Sequence, residues 1–330
     1  MNNEITIIDK FEKFEKNLSL TTSDELDIIK MKVQKHYYWH ILNPQRGTII
    51  VGMAGSGKSY STIKPLTNQF IAQGRCIFNF DVKFNELTLN AYNAYLLAKK
   101  NNPKDNRSFS CIYPNDIRYS HKSNPIGIDI ADKKELLEQY LTAVLYNLNK
   151  KWAESQGEFF SDSAIAICTG IGWLLHWEEK RRGEKVCTLP HITEFLTFEN
   201  EDMMFAVLME EEKCKTIIAS VAQGYMSGAT DQKAGQMSSL INAMRKLVDK
   251  NLYYILQDSN TNLDVNNPDR PNILNLGGAI NTQEVYSPIM ALYATVAKTI
   301  INKPNMLPSA YIVSCNPLIS FLIFLFHYYL

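Results

Sequence analysis

One short stretch of the chain has the residue types and the spacing of a phosphate-binding loop. The sequence VGMAGSGKSY, residues 51–60, contains Gly52, Gly57, Lys58 and Ser59 in the pattern G-x-x-x-x-G-K-[ST]. Glycines let backbone N–H groups approach phosphate oxygens without a Cβ in the way. The lysine of this pattern reaches the β- and γ-phosphates, and the serine hydroxyl binds Mg²⁺. The stretch therefore predicts a nucleotide-binding loop, or P-loop.

The flanking residues supply the elements that such a loop needs. GTIIVG before the loop is a β-branched run typical of a buried strand. KSYSTIKPLTNQFIAQG after it predicts a helix that tolerates Pro65, ends at Gly74 and points its positive end at the phosphates. This order favours a nucleotide site over an ordinary glycine-rich turn. We expect ATP and Mg²⁺ as cofactors, with Ser59 as the Mg²⁺ ligand. The predicted nucleotide-binding residues are Gly52, Gly55, Ser56, Gly57, Lys58, Ser59 and Tyr60.

A second candidate site follows the next predicted strand, CIFNF, which closes on Asp81. The strand, the P-loop, the helix and this second strand form a βαβ unit. Open α/β sheets bind ligands at the carboxyl ends of their strands, so Asp81 and Lys83 are candidate ligand contacts. The alternative, a helix-capping aspartate and a surface lysine, agrees equally well with the sequence.

The rest of the chain indicates an α/β pattern that is interrupted by helices. FSCIYPND predicts a third strand, whereas residues 131–250 show the apolar spacings of three and four that are typical of helices. EFFSDSAIAICTGIGWLLHWEEKRR is apolar on most sides and predicts a buried central helix. GATDQKAGQ, residues 228–236, is either a functional loop or, more simply, a helix start. Strand patterns return at residues 270–278 and, after the helix SPIMALYATVAKTIINK, in SAYIV.

The two ends of the chain differ from this pattern. Residues 1–46 form a polar lead-in, and its best helix is predicted in SDELDIIKMKVQKHYYWHIL, with Ser23 and Asp24 as caps. The other end, PLISFLIFLFHYYL, is apolar, but it is short for a membrane span of about twenty residues. We expect this tail to have no partner strand.

Composition excludes several classes of protein. The 330 residues are 45% apolar and 21% charged with zero formal net charge, so no global field attracts nucleic acid. The cysteines are scattered without a C-x-x-C pair, and the histidines lack metal-ligand spacing. This usage indicates reduced thiols rather than a disulfide framework or a zinc site. MNNEITIIDKFEKFEK lacks the apolar segment of a signal peptide.

The order of the segments resembles the TraG/TraD-type coupling proteins, the P-loop ATPases of conjugation and type IV secretion. The resemblance covers residues 43–313 and rests on NPQRGTIIVGMAGSGKSY, FNFDVKF, SHKSNPI, NLNKKWAESQGEFFSDSA, CTLPHITEFL, GATDQKAGQ and NNPDRPNILNLGG. It implies a RecA-like α/β core with a mostly parallel sheet and an inserted all-helical domain. We therefore expect the core at 47–130 and 251–313, the insertion at 131–250 and an aberrant apolar tail at 314–330.

The resemblance also implies a biological role. It implies an ATP-binding homo-hexamer on the cytoplasmic face of the bacterial inner membrane, which passes relaxase-bound single-stranded DNA to a type IV secretion channel. Two departures stand out. No membrane helix precedes the motor domain, and the Walker B carboxylate positions hold Ser314 and Cys315. No catalytic residue is predicted, and the chain is interpreted as truncated there. The alternatives are an assembly module that binds nucleotide without turnover and a small-molecule P-loop kinase.

Overall fold

The computed structural model describes most of the chain. The described ranges are 28–34, 37–42, 48–51, 56–127, 133–154, 159–197, 200–227, 230–279, 282–301, 306–314 and 321–326. The strands are β1 (Ile28–Gln34), β2 (Tyr37–Leu42), β3 (Thr48–Ile50), β4 (Cys76–Asp81), β5 (Ser108–Ile112), β6 (Asn272–Gly277), β7 (Ser309–Ser314) and β8 (Phe321–Phe326). The helices are α1 (Lys64–Ala72), α2 (Glu86–Asn101), α3 (Lys134–Leu148), α4 (Lys150–Glu154), α5 (Phe159–Arg182), α6 (Leu189–Leu196), α7 (Glu201–Glu210), α8 (Glu212–Ser227), α9 (Thr230–Met244), α10 (Lys250–Leu256) and α11 (Gln283–Ile301).

Six strands form one mixed sheet in the order β3-β8-β7-β4-β6-β5. β5, β6, β4 and β7 are parallel, and β8 is antiparallel to both β7 and β3. β3 therefore runs in the same direction as the four parallel strands. Because Val313 pairs with Phe80, the next residues, Ser314 and Asp81, lie side by side at the carboxyl edge of the sheet.

The sheet separates two apolar layers, because successive residues of a strand point to opposite faces. Ile77 of β4 belongs to a cluster with Leu66 of α1 and Leu87 of α2. Phe78, the next residue, belongs to a larger cluster with Tyr140 of α3 and Tyr293 of α11. The central strands are consequently buried on both faces, as expected of parallel strands that are covered by helices.

Between β5 and β6 the described residues form helices and connecting segments, without a strand. This order follows the predicted α/β, helical and α/β succession, while the domain boundaries stay predictions. The predicted central helix is confirmed as α5, in which Ile167, Cys168 and Ile171 are buried. The helix start proposed for GATDQKAGQ is also confirmed, because α9 begins at Thr230.

The predicted N-terminal helix is wrong. Its residues form the antiparallel pair β1–β2, in which Ile28 pairs with Leu42. The strand signal is present in the sequence, since Ile29, Met31 and Val33 alternate with polar residues, and a period of two indicates a strand. Aromatic residues in β2 also favour strands over helices. The predicted caps at positions 23 and 24 lie outside the described residues.

The expectation that the apolar tail has no partner strand is also wrong. Phe321–Phe326 form β8, which is inserted between β3 and β7. An uncharged run of aromatic and aliphatic residues such as FLIFLF is typical of a strand in the interior of a sheet. Within the described ranges, no helix has the length and apolarity needed to cross a membrane.

Candidate nucleotide-binding site

The predicted P-loop connects β3 to the helix that contains α1. β3 ends at Ile50, and helical structure begins at Lys58 and continues through the π-helical turn Ser59–Ile63 into α1. Because β3 runs with the parallel strands, the loop leaves the sheet at its carboxyl edge, where open α/β sheets bind ligands. Gly52 and Gly55 lie outside the described residues, so their part in the site stays a prediction.

The end of the loop is fixed by Gly57 and the first helical turn. Gly57 has φ +81°, a left-handed conformation that favours glycine, although a Cβ on this residue would meet no atom within 4 Å. The carbonyl oxygen of Gly57 accepts hydrogen bonds from the backbone N–H of Ser61 at 2.8 Å and from its hydroxyl at 2.9 Å. Backbone conformation, rather than lack of space, therefore requires glycine here.

The start of this helix suits an anion. The side chain of Lys58, the first residue of this helical stretch, makes no capping hydrogen bond, and the turn Ser59–Ile63 contains no acidic residue. The first N–H groups of a helix have no partner within the helix, and the helix dipole makes this end positive. The Lys58 ammonium adds a positive charge and lies 3.4 Å from the Ser56 hydroxyl. Ser59 is half-buried beside it, and Tyr60 is 80% exposed. These residues fit a nucleotide phosphate and its Mg²⁺.

The Asp81 carboxylate is held by hydrogen bonds to the helix that follows its strand. Its Oδ2 accepts hydrogen bonds from the backbone N–H of Leu87 and from the backbone N–H and hydroxyl of Thr88, all at 2.9 Å. Burial raises the pKa of the Asp81 carboxyl, and these donors act against that rise. The carboxylate therefore caps the first turn of α2, as in the second of the two readings of the sequence. Lys83 is exposed. A ligand contact by either residue stays a prediction.

The strand order separates the two candidate sites. β8 and β7 lie between β3 and β4, and at about 4.8 Å per strand the axes of β3 and β4 are about 14 Å apart. Ser314 ends β7, about 10 Å from β3 by the same spacing. Cys315 lies outside the described residues. Among the residues that the structure describes, no group of three or more His, Cys, Asp and Glu residues could hold a metal ion.

An aromatic pair that was not predicted from the sequence lies at this edge of the sheet. The rings of Phe84 and Tyr113 stack with their centroids 3.8 Å apart. They cover the end of β6, where a Cβ on Gly277 would lie 2.5 Å from Phe84 Cδ2 and 2.8 Å from Tyr113 Cδ2. A glycine pair directly after the strand NILNL was the available signal, because glycine at a strand end often marks a close approach of another group.

Comparison with known proteins gives a likeness in structure only. No protein-family model and no curated protein matches the chain. The plasmid coupling protein TrwB in complex with ADP and Mg²⁺ matches with a TM-score of 0.51 and 12% identity, over 77% of this chain and 52% of that chain. TrwB in complex with the non-hydrolysable GTP analogue GDPNP gives 0.51 and 12%, over 77% and 53%. The unbound monoclinic form of the bacterial conjugative coupling protein TrwBdeltaN70 gives 0.50 and 11%, over 75% and 49%.

The chain spans about half the length of these solved structures. At this level of identity the likeness concerns the fold, and it confirms the predicted α/β class with a mostly parallel sheet. This chain therefore has a RecA-like α/β fold, as the plasmid coupling protein TrwB does.

Proposed function

We propose that the chain binds a nucleoside triphosphate with Mg²⁺, as the nucleotide-binding part of a conjugative coupling ATPase. The observation that carries the proposal is the P-loop sequence at the carboxyl end of β3, followed by a helical turn, Ser59–Ile63, that contains no acidic residue. The fold is that of TrwB, and TrwB has been solved with ADP and Mg²⁺ and with GDPNP. Those complexes support the same class of ligand here.

Each residue of the loop has a physical role in this proposal. The backbone N–H groups of Ser56 and Gly57 would donate to phosphate oxygens, and Lys58 would neutralise the β- and γ-phosphates. Ser59 would give its hydroxyl to Mg²⁺, whose charge offsets that of the phosphates. Tyr60 follows Ser59 in the sequence and is largely exposed. By sequence alone, Gly52 and Gly55 complete the set.

The proposal extends to DNA transfer. The fold supports a role in which copies of the chain assemble as a hexamer and pass relaxase-bound single-stranded DNA to a type IV secretion channel at the inner membrane. The zero net charge of the chain favours local contacts with the DNA backbone over a global attraction. We therefore expect a single copy to bind single-stranded DNA weakly and with a steep dependence on salt.

Lys58→Ala tests the nucleotide site. The change removes a charge-assisted contact worth about 1.5–3 kcal/mol, so the affinity for ATP–Mg²⁺ should fall about 10- to 100-fold. Isothermal titration calorimetry measures the loss. Lys64→Ala is the matched control, because it removes the same charge from the same helix, where Lys64 pairs with Glu86 at 3.1 Å. Equal affinities for the unmodified chain and Lys58→Ala would refute the assignment of this loop.

We expect nucleotide turnover to be slow. Phosphoryl transfer depends on positioning and on neutralising developing charge, and P-loop ATPases hold Mg²⁺ with a further carboxylate. The corresponding positions, Ser314 and Cys315, carry no carboxylate. Phosphate release by the unmodified chain should therefore stay near background, and the double change Ser314→Asp/Cys315→Glu is the comparison. Robust turnover that disappears on Lys58→Ala would contradict this expectation.

A further inference from the structure

The strand that leads into the P-loop is joined to the sheet through one neighbour. Thr48, Ile49 and Ile50 pair with Ile323, Leu322 and Phe321 of β8. Within the described part of the chain, β3 pairs with no other strand, and β8 pairs on its other side with β7. Every hydrogen-bonded path from β3 to the parallel strands therefore passes through β8.

Beyond this pairing, the structure describes the side chain of one β3 residue, Ile50. The strand has three residues, and a strand of this length forms few ladder hydrogen bonds. Ile50 is half-buried and packs against the cluster that contains Leu66 and Leu87. Val51, the next residue, is 71% exposed. Among the contacts that the structure describes for β3, the pairing with β8 is the one that joins the strand to the sheet.

β8 also determines the direction of β3. Because β8 is antiparallel to both neighbours, β3 runs with β7 and β4 and delivers the P-loop to the carboxyl edge. The pairing Ile49–Leu322–Val313 places Ile49 level with the carboxyl-terminal part of β7. A slip of one residue in this pairing would turn the side chains of β3 to the opposite face.

We propose that β8 is the positioning element of the nucleotide site, and that residues Phe321–Ile323 hold β3 and the P-loop in place without contacting the nucleotide. The inference rests on the proposed nucleotide function for its consequence, but the β3–β8 pairing can be measured without nucleotide. It gives the apolar run near the C-terminus a function in the site that the sequence alone did not indicate.

Leu322→Pro in the full chain tests the inference. Proline lacks an N–H and its ring is not tolerated in the interior of a sheet, so the pairing opposite Ile49 should be lost. Hydrogen–deuterium exchange should show lost protection of the amides of residues 48–50, and ATP–Mg²⁺ affinity should fall about tenfold or more. Phe326→Pro is the matched control, because Phe326 pairs with Ser309 of β7 and lies beyond the residues opposite β3. It should leave both measurements within about twofold of the unmodified chain.

Protection of the amides in α5 reports whether each variant is folded. If Leu322→Pro loses that protection, Leu322→Gly replaces it, because glycine weakens a strand but keeps the N–H. A folded Leu322 variant with unchanged β3 protection overturns the inference, and so does a Phe326→Pro variant with the same loss as Leu322→Pro. If the unmodified chain binds no nucleotide, the proposed function fails, while β3 exchange still decides the role of β8.

Discussion

The carboxyl ends of β3 and β4 both carry residues that the sequence predicts as ligand contacts, but the hydrogen bonding at the two ends differs. After β3, helical structure starts at Lys58, whose side chain makes no capping hydrogen bond, and the turn Ser59–Ile63 contains no acidic residue. After β4, Asp81 is buried, and one of its oxygens accepts three hydrogen bonds from Leu87 and Thr88. For Asp81, hydrogen bonding within the fold, and not residue type alone, therefore decides the role of the side chain.

Asp81→Ala is the substitution with the largest expected effect on this comparison. The change leaves three donors without their acceptor and removes the cap of α2, so the free energy of unfolding should fall by about 3 kcal/mol. Nucleotide affinity should stay the same, because two strands, β8 and β7, lie between β3 and the strand that ends at Asp81. Urea unfolding and calorimetry on one preparation measure both quantities.

Lys83→Ala is the control for that experiment. Lys83 is exposed next to the same strand end, and its removal should change the free energy of unfolding by no more than about 0.5 kcal/mol. Asp81→Ala and Lys58→Ala are compared under conditions where Asp81→Ala is folded. If Asp81→Ala weakens ATP–Mg²⁺ binding as much as Lys58→Ala does, the ends of β3 and β4 contribute to one site. That result would contradict the distinction between the two strand ends.

A smaller effect is expected on the pH dependence of the folding stability. Burial raises the pKa of Asp81 from its ordinary value of 3.8, so the folded chain holds this proton more tightly than the unfolded chain. The stability gained from protonation is full below the unfolded pKa and is lost as the pH rises through the raised folded pKa. Asp81→Asn keeps an acceptor oxygen for Leu87 and Thr88 but does not titrate.

The unmodified chain should therefore lose stability relative to Asp81→Asn as the pH rises from acidic to neutral values. Urea unfolding of both proteins across that range measures the difference. A stability difference that is independent of pH would mean that the caps hold the Asp81 pKa at its ordinary value despite burial.

Local patterns predicted the elements around the P-loop correctly. The helix was expected to end at Gly74, and α1 ends at Ala72 with Gly74 at φ +82°. There the N–H of Arg75 donates to the carbonyl of Phe70 at 3.0 Å. A glycine that ends a helix acts on the neighbouring few residues, so the end of this helix can be predicted from the local sequence alone. The predicted strand CIFNF, which became β4, likewise depends on its own composition.

One of the predictions that failed concerns pairing between distant segments. β8 pairs with β3 across more than half of the chain's length, and an apolar run does not itself indicate which strands it will join. The β1–β2 pair had a local signal in its alternation, which was outweighed by the expectation of a helical lead-in. The sequence did not decide between a ligand contact and a helix cap for Asp81. The donors to its carboxylate, in Leu87 and Thr88, are brought to it by the turn that follows β4.

The alternation of Ile77 and Phe78 along β4 has a mechanical consequence. Ile77 contacts the layer that contains α1, whereas Phe78 contacts the helical layer and stacks on Tyr311 at 4.8 Å. Close-packed interiors are stiff and transmit strain. A displacement of α1 therefore reaches the opposite layer through a single peptide unit of β4. Force can thus pass from the layer that contains α1 to the helical layer on the other face of the sheet without a hinge.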